Sequence, residues 1–211
     1  MKRFKIATGE YYHILNRGFE KMEIFRDSQD IGRFALSMGE FNSIEPIGSI
    51  FENSFRKAKL GPPRSKQELV EFVCFCLNPN HFHFLVRQAV DDGLKKFMQK
   101  LGGGYTKYFN LKYRRSGYLF QGPYKLVHVN SNEYLLHLSV YINLNFKVHK
   151  LGPRRSKSSW EEYLAENRGK GFCRKNIVLD QFKNAKEYKD FAEYSLESII
   201  ARKDMEKYLI E

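Results

Sequence analysis

Four residues of this chain combine types and spacing that could do chemistry: His81 and His83 in His81-Phe82-His83, and Tyr141 and Asn145. Alternation along a strand puts the two imidazoles on one face, about 7 Å apart along the chain. Helical spacing puts the tyrosine and the asparagine one turn apart on one side. Two imidazoles and an amide can hold one divalent ion, and a tyrosine beside that ion can attack phosphorus. Such a set suits a metal-dependent reaction that cuts single-stranded DNA by joining the protein to it. Taken singly, each signal has a second reading. The histidine pair could be structural if both rings find polar partners. The row His137, Tyr141, Asn145 could be an ordinary polar stripe on a helix.

The elements that must position these residues follow from pattern and punctuation. Tyr11 to Arg17 reads as a strand closed by Asn16-Arg17-Gly18, and Ser28 as the cap of a helix over 29–42. Residues 43–66 are poorly periodic and read as an inserted, mobile, basic loop. Its Arg56, Lys57, Lys59, Arg64 and Lys66 are either extra DNA contacts or solvated loop charges. Leu69 to Leu77 and His81 to Gln88 form a hairpin about Asn78-Pro79-Asn80. A helix over 94–111 is expected to bend at Gly102-Gly103-Gly104. Gly117 to Val129 reads as a strand or hairpin. A helix from Asn132 to about Asn145, capped by Ser131 or Asn132, carries the tyrosine. Two tail helices follow, near 158–166 and 186–207. This order predicts an α+β fold: a ferredoxin-like antiparallel sheet with helices on one face. Phe82, Phe84 and Val86 belong against those helices, and His81, His83 and Leu85 on the other face.

Charge says what the sheet meets. The net charge is +12, and residues 93–160 hold thirteen Lys and Arg against the single acid Glu133. The rest of the chain balances, with 23 basic and 23 acidic residues, so the whole excess lies in that third. Aromatics from Tyr105 to Tyr124 are interleaved with these charges. Phosphates are attracted to such a surface, and aromatic faces can stack on unpaired bases. Cys74, Cys76 and Cys173 lack CxxC spacing, which argues against a disulfide framework or structural zinc; the first two read as buried core residues. Without a run of 18 apolar residues or a signal-like start, a cytoplasmic protein that avoids membranes is expected.

Five segments in order then carry a resemblance. YHILNRGFEKMEIFRD (Tyr12 to Asp27), CLNPNHFHFLV (Cys76 to Val86), YTKYFNLKYRRSGYLFQGPYK (Tyr105 to Lys125), EYLLHLSVYINLN (Glu133 to Asn145) and SSWEEYL (Ser158 to Leu164) are similar to segments of the single-tyrosine HUH transposases. The closest likeness is to the REP-associated tyrosine transposase group. The chain departs from the family's pattern at Phe146, where proline usually follows the asparagine, and at Pro123, where arginine is common.

The resemblance implies an HUH-type catalytic palm in residues 1–150, with the 43–66 insertion, and a helical extension over 151–211. It implies Tyr141 as nucleophile, His81, His83 and Asn145 as ligands of Mg²⁺ or Mn²⁺, and DNA contacts from Lys95, Lys96, Lys100, Lys107, Lys112, Arg114, Arg115 and Lys125. His137, one turn before the tyrosine, is a candidate helper in removing its proton. The implied activity is cleavage and rejoining of single-stranded DNA at hairpin-bearing ends through a 5′-phosphotyrosine link, by a monomer or homodimer. A domesticated DNA-binding protein without strand transfer, and an RNA-binding or RNA-cleaving protein, compete with it. A carboxylate-triad nuclease is disfavoured by the lone Glu133, and a two-histidine phosphodiesterase by the lack of a second His-x-Thr or His-x-Ser motif.

Overall fold

In the computed structural model, residues 6–54, 67–152, 155–165 and 171–208 are described. The basic cluster Arg56 to Lys66 of the expected loop, and Arg154, lie outside them; within that loop, residues 50–54 are helical.

Five strands form one antiparallel sheet: β1 (Tyr11–Arg17), β2 (Val70–Asn78), β3 (His81–Gln88), β4 (Lys125–Val129) and β5 (Lys157–Ser158), in the order β4-β1-β3-β2-β5. The first four strands have the order and the two helical crossovers of a ferredoxin-like fold, and the histidine strand β3 is central, as its apolar content predicts. A bulge between Phe72 and Cys74 shifts the register of β2. It leaves Phe72, Phe75 and Leu77 in one core layer, and Cys74 and Cys76 in the other with Leu85. All three cysteines are buried and free.

Helices α1 (Ser28–Glu40) and α2 (Gly93–Lys112) cover the face that carries Phe82, Phe84 and Val86. The cap of α1 is Asp27, whose carboxylate accepts from Asp30 N at 2.9 Å, so the helix begins one residue before the expected start and stops at Glu40. Beyond it, the buried Asn42 side chain accepts from the amides of Leu69 and Val70 and donates to Val70 O, fixing the entry of β2.

Helix α2 does not break at its three glycines. Phe97, Leu101, Tyr105 and Phe109 repeat every fourth residue and are buried, which holds the helix to the sheet. Gly104 has a packing reason: a Cβ there would stand 2.6 Å from the Phe41 ring. The expected strand over 117–129 shrinks to β4. Its first half is a loop bridged to Gly18 through Phe120, with Gly122 in the left-handed region at φ 73°.

The histidine face is also covered. Helix α3 (Asn132–Asn143), capped by Ser131 Oγ accepting from Tyr134 N at 3.1 Å, packs over β2 and β3. The backbone then breaks at Leu144, and a short α4 (Asn145–Val148) follows. So the expected single helix to Asn145 is two. The tail supplies α5 (Trp160–Leu164), α6 (Asn176–Leu179), which the sequence did not suggest, and α7 (Ala185–Tyr208). Its fully buried Tyr163 ties the tail to β2, donating from Oη to Val73 O at 2.9 Å, and its fully buried Tyr188 braces α3, with Oη 3.1 Å from Ser139 Oγ and accepting from Asn143 Nδ2.

Candidate active site and nucleic-acid surface

Strand alternation places His81 and His83 on the α3 side of β3, their rings perpendicular with centroids 5.2 Å apart. Tyr141, on the inward side of α3, stands edge-on to His83 with ring centroids 5.5 Å apart. The break at Leu144 starts α4 at Asn145, whose buried amide faces the end of β3. The four residues singled out by spacing therefore converge.

The hydrogen bonds fix what these groups present. Asn80 Nδ2 donates to Lys21 O at 3.2 Å, which sets the orientation of that amide and aims its oxygen at His81 Nδ1, 2.7 Å away. An amide oxygen only accepts, so His81 carries its proton on Nδ1 and keeps a lone pair on Nε2. That nitrogen accepts from Asn78 Nδ2 at 3.0 Å and lies 3.1 Å from Asn145 Oδ1, which accepts from the same Asn78 amide at 2.7 Å. Two acceptors thus face one another. Neighbouring donors on a six-coordinate Mg²⁺ at 2.0–2.1 Å would be about 3 Å apart, so the spacing fits a shared cation, which would take the place that Asn78 Nδ2 holds between them. Asn145 Nδ2 is buried without a partner. Burial lowers the pKa of His13 to about 4 and that of His83 well below its ordinary value, the nearby histidines adding to the second effect. Both rings are neutral near pH 7, the form in which imidazole binds metal. Among the described residues, no three His, Cys, Asp or Glu side chains form a metal cluster; the set here is two imidazoles and an amide.

Two further histidines, His13 and His149, lie in the same place. His13 Nε2 is 2.9 Å from His83 Nδ1, with the two rings nearly coplanar at 19° and centroids 5.2 Å apart, and the His149 ring is tilted against His81 with centroids 4.7 Å apart. His13 is opposite Leu85 in the β1–β3 register, beside His83 only across the sheet, so no local pattern announces it. His149 could have been found, since it continues the i+4 row after Asn145. His137 is exposed, with its ring on Phe191 at 5.5 Å.

The basic segment divides. Lys95, Lys96, Lys107, Arg114 and Lys125 are exposed. Lys100 instead donates to Ser43 O at 2.6 Å, and Lys112 is paired with Asp27 and with the fully buried Asp30 at 2.7 and 2.8 Å. Burial opposes the charge of Lys112, but the two carboxylates outweigh it and hold its pKa above the ordinary lysine value. These two lysines therefore serve the fold. The Arg115 guanidinium rests 5.7 Å from the Phe109 ring and is half-buried. The aromatics divide as well. Tyr105 and Phe109 are core, and Tyr108 and Tyr113 are hydrogen-bonded to Asp30, so none of the four is free to stack on bases. Tyr118 is 85% exposed. It borders an open groove between α2 and the 117–124 loop, next to a cavity of about 430 Å³ lined by Phe34, Lys95, Met98, Gly103, Phe120 and Tyr124.

Residues 59–145 match the family model described as IS200-like transposase. No curated protein matches the sequence. Among solved structures, a REP-associated tyrosine transposase bound to a REP hairpin is similar at TM-score 0.50 and 11% identity, over 76% of this chain and 82% of that one. A Deinococcus radiodurans R1 protein described as a transposase aligns at TM-score 0.38 and 12% identity, over 64% of this chain and 91% of that one. Residues 59–145 are thus similar to an IS200-like transposase model, and the fold is similar to that of a REP-associated tyrosine transposase.

Proposed function

We propose that the protein is a metal-dependent transposase that cleaves and rejoins single-stranded DNA through a 5′-phosphotyrosine link at Tyr141. The observation that carries this is the convergence of Tyr141 with His81, His83 and Asn145, from three separate elements. His81, His83 and Asn145 would hold Mg²⁺ or Mn²⁺. When bound, such an ion polarises the scissile phosphate and stabilises charge on the leaving oxygen.

Tyr141 Oη attacks phosphorus and loses its proton, the bond from phosphorus to the 3′ oxygen breaks, and the strand leaves with a 3′-hydroxyl. A free phenol has a pKa near 10, so proton removal needs help, and His137, one turn away, is our candidate to give it. Attack by a 3′-hydroxyl on the phosphotyrosine reverses the chemistry and restores Tyr141. The phosphodiester energy is conserved, so no nucleotide cofactor enters. Lys95, Lys96, Lys107, Arg114, Arg115 and Lys125 would bind the DNA backbone. Hairpin-bearing ends are the proposed substrate, supported by the hairpin bound to the structural relative. Residues 1–150 would form the catalytic unit, as a monomer or homodimer, and 151–211 the extension that steadies α3. Among the described residues, no helix is long and apolar enough to cross a membrane; a DNA substrate supports a cytoplasmic site of action.

Mass spectrometry of the protein after reaction with hairpin oligonucleotides and Mn²⁺ tests this. The expected product is a Tyr141 peptide carrying a 5′-phosphonucleotide, with a matching 3′-hydroxyl fragment. Bound, intact DNA with no modified peptide would favour a DNA-binding protein without strand transfer.

A further inference from the structure

We propose that the groove between α2 and the 117–124 loop seats unpaired bases of the single-stranded DNA, with Tyr118 as the stacking platform and Lys95 and Lys107 on the flanking phosphates. This rests on the reading of the substrate as single-stranded DNA, and it adds a second contact away from Tyr141. The cavity of about 430 Å³ and the open groove beside it, of about 610 Å³, share Gly102, Gly103 and Phe120, so they form one trough along α2. Both volumes lie in the roughly 300–1,000 Å³ range of ligand pockets. Phe82 lines the trough from the core face of β3, so it opens on the side of the sheet opposite His81 and His83. Its outer wall is preformed. Phe19 N donates to Leu119 O at 2.9 Å, Gln121 N to Arg17 O at 2.8 Å and Asn110 Nδ2 to Gly117 O at 2.9 Å, which ties the loop to the end of β1 and to α2.

Charge, rings and floor together select the occupant. Lys95 and Lys107 are exposed on the lining, and no carboxylate is among the described lining residues, so the trough attracts an anion. The two lysines are about 18 Å apart by the helical rise, which suits an extended anion rather than a single phosphate. The exposed ring of Tyr118 and the rings of Phe120 and Tyr124 wall the space between the charges. Aromatic faces in a cationic groove are what unpaired bases stack on. A duplex would offer only its phosphates, because its base faces are already stacked. The floor is bare backbone. A Cβ at Gly102 or Gly103 would meet nothing within 4 Å, so, unlike Gly104, neither makes room for a neighbouring side chain, and each weakens the helix relative to alanine. What these two glycines keep open is the trough itself, where a flat ring can lie against the helix.

The test uses the full-length protein without added metal, so that binding is read apart from cleavage. Labelled oligothymidine and a labelled duplex of equal length are titrated by fluorescence anisotropy with the wild type and two variants. Tyr118→Ala removes the exposed ring, and Gly103→Leu fills the floor at a position whose Cβ meets no neighbour. Both variants should bind oligothymidine at least 5-fold more weakly, roughly the lower end of one lost base stack, and should bind the duplex as the wild type does. The slope of log affinity against log salt should not change, because no charge is removed. Tyr118→Trp should restore single-strand affinity. Wild-type affinity for oligothymidine in both folded variants, or an equal loss for single strand and duplex, would overturn the proposal. A wild type that shows this single-strand preference but forms no covalent link would sink the strand-transfer reading and leave the groove standing. Covalent joining that persists while both variants bind oligothymidine normally would sink the groove alone.

Discussion

A divalent ion needs donors whose lone pairs already point at one place, and the side chains here are constrained to that end by hydrogen bonds from outside the set. Asn80 does this for His81 from the Nδ1 side, while Asn78 Nδ2 donates to both His81 Nε2 and Asn145 Oδ1 and would be displaced by an ion bound between them. Loss of one donor should therefore weaken the metal site without loosening the fold greatly. Asn145→Ala is expected to lower Mn²⁺ affinity 10-fold or more while single-stranded DNA binding persists, checked by EPR titration and gel shift. His81→Ala should abolish metal-stimulated cleavage in a denaturing-gel assay. At this scale the sequence showed much. His81 and His83 two apart, and Tyr141 and Asn145 four apart, are local spacings that a strand and a helix convert directly into shared faces. His13 was not legible, because its contact crosses 70 residues of sequence and depends on strand register. The Asn78 and Asn80 side chains looked like turn chemistry, and they also serve the histidines.

Elements position these residues through their ends. Helix α3 starts on Ser131 and stops at Leu144, and that stop gives Asn145 its own backbone frame. Ser131→Ala should cost about 1 kcal/mol of stability by removing the cap, measured by urea denaturation. Gly104→Leu should cost more, about 1–3 kcal/mol, because α2 would be forced off the Phe41 ring. Strand β3 was read from sequence with both ends correct, since its alternation and the Asn-Pro-Asn turn agree. The break at Leu144 was missed because Leu144 is an ordinary helix former and the stop is set by tertiary packing. Helix α2 runs unbroken through Gly102-Gly103-Gly104 for the converse reason: a buried four-residue stripe outweighs glycine propensity. The loop over 117–124 read as strand because its aromatics mimic alternation, while Gly117 and Gly122 adopt positive φ instead.

Across the whole molecule, charge is sorted into two uses. Lys112 is spent on the buried Asp30, tying α1 to α2, so Lys112→Met should destabilise the fold by about 1.5–3 kcal/mol by removing the counter-ion of a buried carboxylate that keeps its tyrosine and backbone donors. Thermal denaturation reads that effect. Lys95, Lys96 and Lys107 are open to solvent. Replacing all three with glutamine should weaken single-stranded DNA binding and reduce the slope of log affinity against log salt by about 2. Composition located the positive segment but could not tell a lysine facing DNA from one facing Asp30, which only the packing of α1 on α2 decides. Covalent joining at Tyr141 is the property to measure first. Labelled hairpin-bearing single-stranded DNA is incubated with wild-type protein and with Tyr141→Phe, with and without Mn²⁺, and run on a denaturing gel. A protease-sensitive shifted band that needs both Mn²⁺ and Tyr141 is the predicted result, with DNA binding retained in the variant. A covalent band that survives in Tyr141→Phe would contradict it.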